Sequence, residues 1–207
     1  VTFDDVAGKT RITLRAVFPT AAARERVVRE YGAKEGAEQT VARLAGYVGE
    51  LAAGGENGVG RVLLLTRVFD APRELVFKCW TDPKHFAAWW GPHMFTAPKV
   101  ELDLRPGGKI FVLMSGPPPW QRHPMGGEFR EISPPERLVF TSHLEAGGRL
   151  TLQNLNSVTF EDLGGKTRMR LHVRVLVAAP EMAGALGGME IGWSQSLEKL
   201  AAYVVKL

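Results

Sequence analysis

Apolar residues recur at helical spacing in the last twenty residues of the chain. Trp193, Leu197, Leu200, Val204 and Leu207 follow one another at steps of four, three, four and three. These steps place all five side chains on one stripe of an α-helix, with polar residues on the other faces. Such a helix must bury its stripe against another element. The pattern therefore predicts a long C-terminal helix packed against the rest of the chain.

Upstream of this helix, the pattern is typical of β-strands. From Met169 to Val177, apolar residues alternate with arginine and histidine. This alternation predicts a strand with one face toward the helix and the other toward water, where acids such as Glu161 pair with the cations. Gly-Gly and Pro-Pro pairs separate several candidate strands, as in antiparallel hairpins. The candidates cover residues 61–70, which we expect to be fully buried, and 95–104, 109–116, 126–132, 137–144, 150–162 and 166–178.

Two short helices are predicted after the first strand. Val76, Cys79 and Trp80 have helical spacing, and the dipeptide Asp82-Pro83 ends this helix and begins the next. The predicted fold class is α+β. It has a curved antiparallel sheet of about six to seven strands around the long C-terminal helix.

A long-period internal repeat links the two ends of the chain. Val1–Arg11 resembles Val158–Arg168, and Gln39–Val48 resembles Gln195–Val204. The earlier copy carries a matching helical stripe, made of Ala37, Val41, Leu44, Val48 and Leu51.

The repeat predicts three parts of the chain. Residues 1–51 are interpreted as the last hairpin and helix of an incomplete first domain, residues 52–60 as a flexible linker, and residues 61–207 as a complete second copy. The missing part of the first domain would lie outside this sequence. Alternatively, residues 1–51 dock on the second domain or on another chain, completing a sheet in trans or forming a homo-oligomer.

Composition narrows the classes of function. The net charge of +4 is spread among acids rather than gathered on one face, so we expect no nucleic-acid partner. No apolar run has the length of a membrane span, so we expect no membrane partner. The single cysteine, Cys79, cannot form an internal disulfide, which is typical of cytoplasmic proteins. The five histidines show no metal-ligand spacing, and we expect neither a metal nor another cofactor.

Four motifs carry a resemblance to a known family. They are Asp82–Pro92, Glu101–Lys109, Glu131–Ser142 and Gly192–Leu200. On these residues, the segment 61–207 resembles the START-like, helix-grip superfamily called SRPBCC. Within it, the segment is similar to prokaryotic relatives of the C-terminal domain of the heat-shock-protein-90 ATPase activator. The resemblance implies the helix-grip fold and a hydrophobic ligand cavity between the sheet and the C-terminal helix.

Large apolar side chains are the candidates for lining such a cavity, because they offer apolar area to a ligand. The alternative is that each of them simply fills the core. The candidates are Phe77, Trp80, Phe86, Trp89, Trp90, Phe129, Phe140, Trp193 and Leu197.

Polar candidates are fewer. Strand parity directs Asn154 and Asn156 inward, where they would bind a ligand carbonyl or hydroxyl, unless a β-bulge near Leu155 turns them outward. His143 has the opposite parity from Phe140 and is expected to be exposed. The proline-rich loop 115–127 is either a packed surface loop or a cavity mouth. In the second case its gate residues are Trp120, Arg122 and His123.

Three functions remain open at this point. The sequence favours non-enzymatic binding of a small hydrophobic molecule, because no catalytic constellation is visible. A cyclase-like or hydratase-like enzyme would need an acid–base group in the cavity. The resemblance also admits a chaperone-ATPase-activator-like interaction protein.

Overall fold

The computed structural model describes residues 1–6, 9–53, 56–118 and 120–207, without the side chains of residues 31, 47, 50–53 and 56. The chain divides into two compact units, Val1–Val48 and Gly49–Leu207. The linker glycines at positions 54 and 55, the proline at 119 and the Leu51 side chain of the predicted stripe lie outside the described part.

The first unit begins with a β-hairpin of β1 (Thr2–Val6) and β2 (Lys9–Thr13). Helix α1 (Ala21–Tyr31), which the sequence reasoning missed, follows it. The Thr20 hydroxyl caps α1 by accepting a hydrogen bond from the Ala23 N–H at 3.1 Å. Helix α2 runs from Ala33 to Ala53, so it extends into the expected linker.

The hairpin of the first unit has the same strand register as its counterpart near residue 160. Phe3 pairs with Ile12, as Phe160 pairs with Met169. Burial differs sharply, since Phe3 is 69% exposed and Phe160 only 3%. Phe3 of the first hairpin therefore faces solvent, whereas Phe160 lies in the core of the second unit.

Among its described residues, the second unit contains seven strands and, after the end of α2, four further helices. Its strands are β3 (Val62–Phe69), β4 (Thr96–Leu102), β5 (Lys109–Ser115), β6 (His123–Ser133), β7 (Arg137–Ala146), β8 (Arg149–Asp162) and β9 (Thr167–Ala178). Its helices are α3 (Arg73–Thr81), α4 (Pro83–Trp89), α5 (Ala183–Gly187) and α6 (Met189–Val204), and Glu56–Gly58 and Pro180–Met182 form 3-10 turns.

All seven strands of the second unit form one curved antiparallel sheet. The strand order is β3-β9-β8-β7-β6-β5-β4, so consecutive strands from β4 to β9 are neighbours and β3 closes the far edge against β9. This arrangement confirms the predicted α+β helix-grip fold.

Helix α6 buries its apolar stripe as the spacing predicts. Leu197, Leu200 and Val204 are at most 2% exposed, and Trp193 is half-buried. The prediction was wrong for Leu207, which is 54% exposed because α6 ends at Val204 and the chain turns away after it.

On the outer face of the sheet, the predicted full burial of the first strand is wrong and the predicted pairing of Glu161 with cations is confirmed. Strand β3 is not fully buried: Leu64 is 71% exposed, because every second side chain points away from α6. On the same face, Glu161 forms salt bridges with Arg168 at 2.8 Å and Arg170 at 3.2 Å, as expected from the alternation.

The described residues contain neither a membrane-spanning helix nor a metal-binding cluster. None of the helices in that part of the chain is both long and apolar enough to cross a bilayer. The same residues contain no cluster of three or more histidine, cysteine, aspartate or glutamate side chains that could hold a metal ion.

Candidate functional site

A cavity of about 330 Å³ lies within the second unit, between the sheet and helix α6. Strands β5 to β8 form one wall, and helices α5 and α6 form the other, together with the loop that follows α4. The lining residues are Trp90, Gly91, Pro92, Phe95, Met114, Trp120, His123, Met125, Ser142, His143, Leu144, Leu152, Asn154, Ala185, Gly188, Met189, Gly192, Trp193 and Ser196.

Two tryptophans among the predicted ligand residues meet at this cavity. Trp90 and Trp193 pack edge to face, with ring centroids 5.2 Å apart. Trp193 also stacks on Trp80, at 6.1 Å and an interplanar angle of 18°. Trp193 thus joins the cavity wall to the aromatic core, as its position on the buried stripe of α6 allows.

The other apolar candidates do not line the cavity. Trp80 and Trp89 are at most 1% exposed, with centroids 4.7 Å apart, and the Trp89 indole donates to the Cys79 carbonyl at 2.9 Å. The two indole rings lie in the hydrophobic core, and so do the other candidates that do not line the cavity. The residues concerned are Phe77, Trp80, Phe86, Trp89, Phe129, Phe140 and Leu197. Burial raises the pKa of the Cys79 thiol to about 11, which keeps it protonated at neutral pH.

Asn156 points inward and is fully buried. Its Nδ2 donates to the Phe140 carbonyl at 3.3 Å and to the Ser142 hydroxyl at 3.0 Å, while its Oδ1 is buried without a hydrogen-bond partner. Asn156 lies behind the lining residues and reaches the cavity only through Ser142.

Asn154 lines the cavity, and its Oδ1 is also buried without a partner. The register of β8 against β9 shifts between Gln153 and Asn154, before the position at which we expected a bulge. The shift leaves both asparagines on the inner face, so the alternative that turns them outward is wrong.

Lys199 anchors the loop between α4 and β4, four residues of which line the cavity. Its ammonium donates to the carbonyls of Trp90, Gly91 and Phe95 at 3.4, 3.0 and 2.9 Å. Three acceptors match the three N–H bonds of an ammonium group. Burial lowers the pKa of Lys199. The cation thereby fixes the loop to helix α6.

Two of the three predicted gate residues lie at the cavity. Trp120 is 44% exposed and meets the His123 ring edge to face, with centroids 5.1 Å apart. Arg122 is exposed and does not line the cavity. The loop that was predicted for residues 115–127 is shorter in the structure, because β6 already begins at His123. Burial lowers the pKa of His123, so its imidazole is neutral at pH 7.

His143 differs from the expectation of an exposed side chain. It is half-buried, although it keeps the predicted outward parity: it pairs with Gln153 on the outer face and its ring lies over Gly126 of the neighbouring strand. It is also among the residues that border the cavity. A Cβ at Gly126 would fall 2.3 Å from His143 Nε2, so the bare glycine backbone makes room for the ring.

Several lining residues escaped the sequence reasoning. Three are methionines, Met114, Met125 and Met189, whose flexible side chains adapt to differently shaped ligands. Phe95 is a fourth. Its ring packs against the backbone of Gly116, and a Cβ at position 116 would lie only 2.5 Å from the Phe95 ring. Strand parity could have identified Met125, which shares the inner face with Phe129, but the α4–β4 loop offers no such periodicity.

The comparisons with known proteins agree on one kind of fold. Residues 70–205 match the family model described as Activator of Hsp90 ATPase homolog 1-like protein. No curated protein matched the chain. A crystal structure from Chromobacterium violaceum shares 29% identity over 69% of this chain and 96% of its own, with a TM-score of 0.59.

Two further solved structures are similar. The AHSA1 protein of Silicibacter pomeroyi is 28% identical, covering 70% of this chain and 97% of its own, with a TM-score of 0.59. A protein from Arthrobacter aurescens is 25% identical, covering 70% and 87%, with a TM-score of 0.63. In all three cases the likeness spans most of the solved chain.

Proposed function

We propose that this chain, which belongs to the family of Activator of Hsp90 ATPase homolog 1-like proteins, binds a small hydrophobic molecule without transforming it chemically. The single observation that carries the proposal is the cavity between the sheet and α6, whose volume is about 330 Å³ and whose walls are mainly apolar. A pocket of this kind, with a few polar groups, is typical of small-molecule sites.

The affinity would come from burial of apolar ligand surface. Each Å² removed from water contributes about 25 cal/mol before the costs of association are subtracted. Trp90 and Trp193 present rings at 88° to each other, and a flat ligand placed against one of them meets the edge of the other. The loop held by Lys199 and the Trp120–His123 pair would then cover the ligand.

The test fills the cavity from helix α6. Gly192 lines the cavity, and a Cβ there would meet nothing closer than the Pro92 ring at 3.6 Å. Gly192→Leu is therefore expected to fold while its longer side chain occupies ligand space. The exposed Ala202 on the same helix gives the matched control Ala202→Leu.

The readout is a fluorescence titration with N-phenyl-1-naphthylamine, a neutral dye that brightens in apolar surroundings. We expect saturable one-to-one binding to the unmodified protein and to Ala202→Leu, and at least tenfold weaker binding to Gly192→Leu. Equal binding to all three proteins would show that the dye binds elsewhere and would remove the support for the cavity.

A second candidate function has one observation in its favour. His123 and His143 both line the cavity, and the neutral imidazole of His123 could accept a proton from a bound substrate. A cyclase-like or hydratase-like enzyme would use such a base. Recovery of every bound compound unchanged after long incubation supports the binder, whereas conversion that is lost in His123→Gln supports the enzyme.

A further inference from the structure

Asn154 is a polar side chain on the inner face of the sheet. It lies on β8, lines the cavity and is only half-buried. Its two amide atoms have different surroundings. Oδ1 is fully buried without a hydrogen-bond partner, so a molecule in the cavity cannot reach it. Nδ2 retains accessible surface, and none of the described residues accepts a hydrogen bond from it.

The accessible atom of this amide is the nitrogen and not the oxygen. A buried N–H group without a partner is rarer in proteins than a buried carbonyl oxygen without one. The orientation that encloses Oδ1 and leaves Nδ2 accessible is therefore the less costly of the two. Because Asn154 projects from the inner face of β8 and lines the cavity, its accessible surface borders that cavity. Asn154 thus presents an unused hydrogen-bond donor to a molecule bound there.

The residue directly opposite Asn154 has the same polarity. Ser142 pairs with Asn154 in the β7–β8 register and also lines the cavity. Its Oγ accepts from Asn156 Nδ2 at 3.0 Å. The donor in this bond is the NH₂ of Asn156, because the same group faces the Phe140 carbonyl at 3.3 Å, which can only accept. The bond leaves the hydroxyl hydrogen of Ser142 unused, so this part of the wall is suited to an acceptor.

The cavity wall also favours a neutral acceptor over a charged one. None of the described residues lining the cavity is a lysine, an arginine, an aspartate or a glutamate. His123 is neutral at pH 7, and the ring of His143 lies over Gly126 on the outer face. Burial of an unpaired charge is far more costly than burial of a neutral polar group. A carboxylate would lose its hydration without gaining a cation, whereas a neutral carbonyl oxygen can accept the same hydrogen bond.

From this arrangement we propose that the ligand is an uncharged apolar molecule with a carbonyl oxygen, which accepts a hydrogen bond from Asn154 Nδ2. The inference rests on the proposed function, since it requires a ligand in the cavity. It adds the chemical class, an apolar ketone or ester, and names the residue that selects it. The apolar remainder of the ligand would lie against Trp90 and Trp193 on the same cavity wall.

The experiment measures how three probes with one naphthalene skeleton displace N-phenyl-1-naphthylamine from the full chain at pH 7. 2-Acetylnaphthalene carries a ketone. 2-Isopropenylnaphthalene has the same shape with a CH₂ group in place of the oxygen, and 2-naphthoate carries a negative charge. We expect 2-naphthoate to bind the unmodified protein at least about tenfold more weakly than the ketone. Water solvates the ketone better than the alkene, so these two are compared by how each affinity changes in a variant.

Two variants separate selection from general apolar binding. Asn154→Leu has a side chain of similar shape without the donor, and it should weaken 2-acetylnaphthalene by at least about fivefold, because the buried carbonyl loses its partner. Binding of 2-isopropenylnaphthalene to the same variant should not weaken, which also shows that the cavity is intact. The control is Gln153→Leu, at the next position on β8 and on the opposite face of the sheet, which should leave both affinities unchanged.

The outcomes distinguish the two proposals. Unchanged ketone binding in Asn154→Leu overturns the carbonyl inference and leaves the hydrophobic binder standing, and so does an equal loss for ketone and alkene. Binding of 2-naphthoate as tight as that of the ketone overturns the requirement for a neutral ligand. If neither the dye nor any of the three probes binds the unmodified protein, both proposals are overturned together.

Discussion

Asn154 and Asn156 each carry a buried polar atom that lowers the stability of the second unit. Both Oδ1 atoms are buried without a hydrogen-bond partner. An unsatisfied buried polar group costs about 1–3 kcal/mol. Asn154 lines the cavity, so its cost falls beside the proposed ligand site, whereas Asn156 lies behind the lining residues.

Replacement of Asn154 by leucine should stabilise the ligand-free protein. The variant removes the unpaired acceptor, retains the side-chain shape and adds apolar contacts with Leu152 and its neighbours. We expect the free energy of unfolding to rise by about 1 kcal/mol in urea titrations. Gln153→Leu, on the outer face, should change it by less than about 0.5 kcal/mol. A loss of stability in Asn154→Leu would mean that Oδ1 is satisfied after all.

Strand parity was sufficient to predict that these asparagines point inward. It could not predict which aromatic residues line the cavity, because Trp80 and Trp90 carry the same apolar signal. Their roles separate only in three dimensions, where Trp80 is enclosed by Trp89, Phe140 and Phe160, while Trp90 borders an open space. The outward parity of His143 was predicted, but its partial burial was not, because the space over Gly126 that its ring occupies lies on the neighbouring strand.

The element that most directly shapes the cavity mouth is the loop between α4 and β4. It has no repeating backbone pattern, and Lys199 holds it by three hydrogen bonds to its carbonyls. Hydrogen bonds from a charged donor are stronger than neutral ones. The position of Phe95 and Trp90 at the cavity therefore depends on one side chain of helix α6.

Lys199→Met is expected to release this loop while leaving the sheet intact. The methionine retains most of the apolar stem but cannot donate, so we expect a loss of about 2 kcal/mol in unfolding free energy. Amide hydrogen exchange should become at least tenfold faster at Gly91 and Phe95 and stay unchanged in β8. Lys206→Met, at an exposed position beyond α6, is the control. Unchanged exchange in the loop would show that Lys199 does not anchor it.

The helices and strands of the second unit were largely predictable, because their apolar periodicity is regular. Strand β6 is the exception, since it begins at His123, only four residues after a run of prolines that is typical of a loop. Helix α1 was also missed, although Thr20 at its N-terminus and Gly32 at its end, with φ of 56°, are ordinary helix boundaries.

At the scale of the whole molecule, the second unit forms the helix-grip fold that the strand and helix order predicts. Its core runs from Leu63 to Val204. The cavity is a gap in that core and not a separate element. The gap arises where small residues of α5 and α6, such as Ala185 and Gly192, face the inner surface of the sheet. Sequence patterns describe which residues are buried, and they contain no signal for a volume that remains unfilled.

The most direct test of ligand binding in this cavity uses the five tryptophans as reporters. Their indole N–H signals are resolved in a two-dimensional ¹H–¹⁵N NMR spectrum and assigned by single Trp→Phe variants. Addition of 2-acetylnaphthalene should shift the signals of Trp90, Trp120 and Trp193, which line the cavity, and leave that of Trp89, which is bonded to the Cys79 carbonyl, in place. Saturable shifts in those three alone are the predicted result, whereas no shift, or equal shifts in all five, would contradict binding between the sheet and α6.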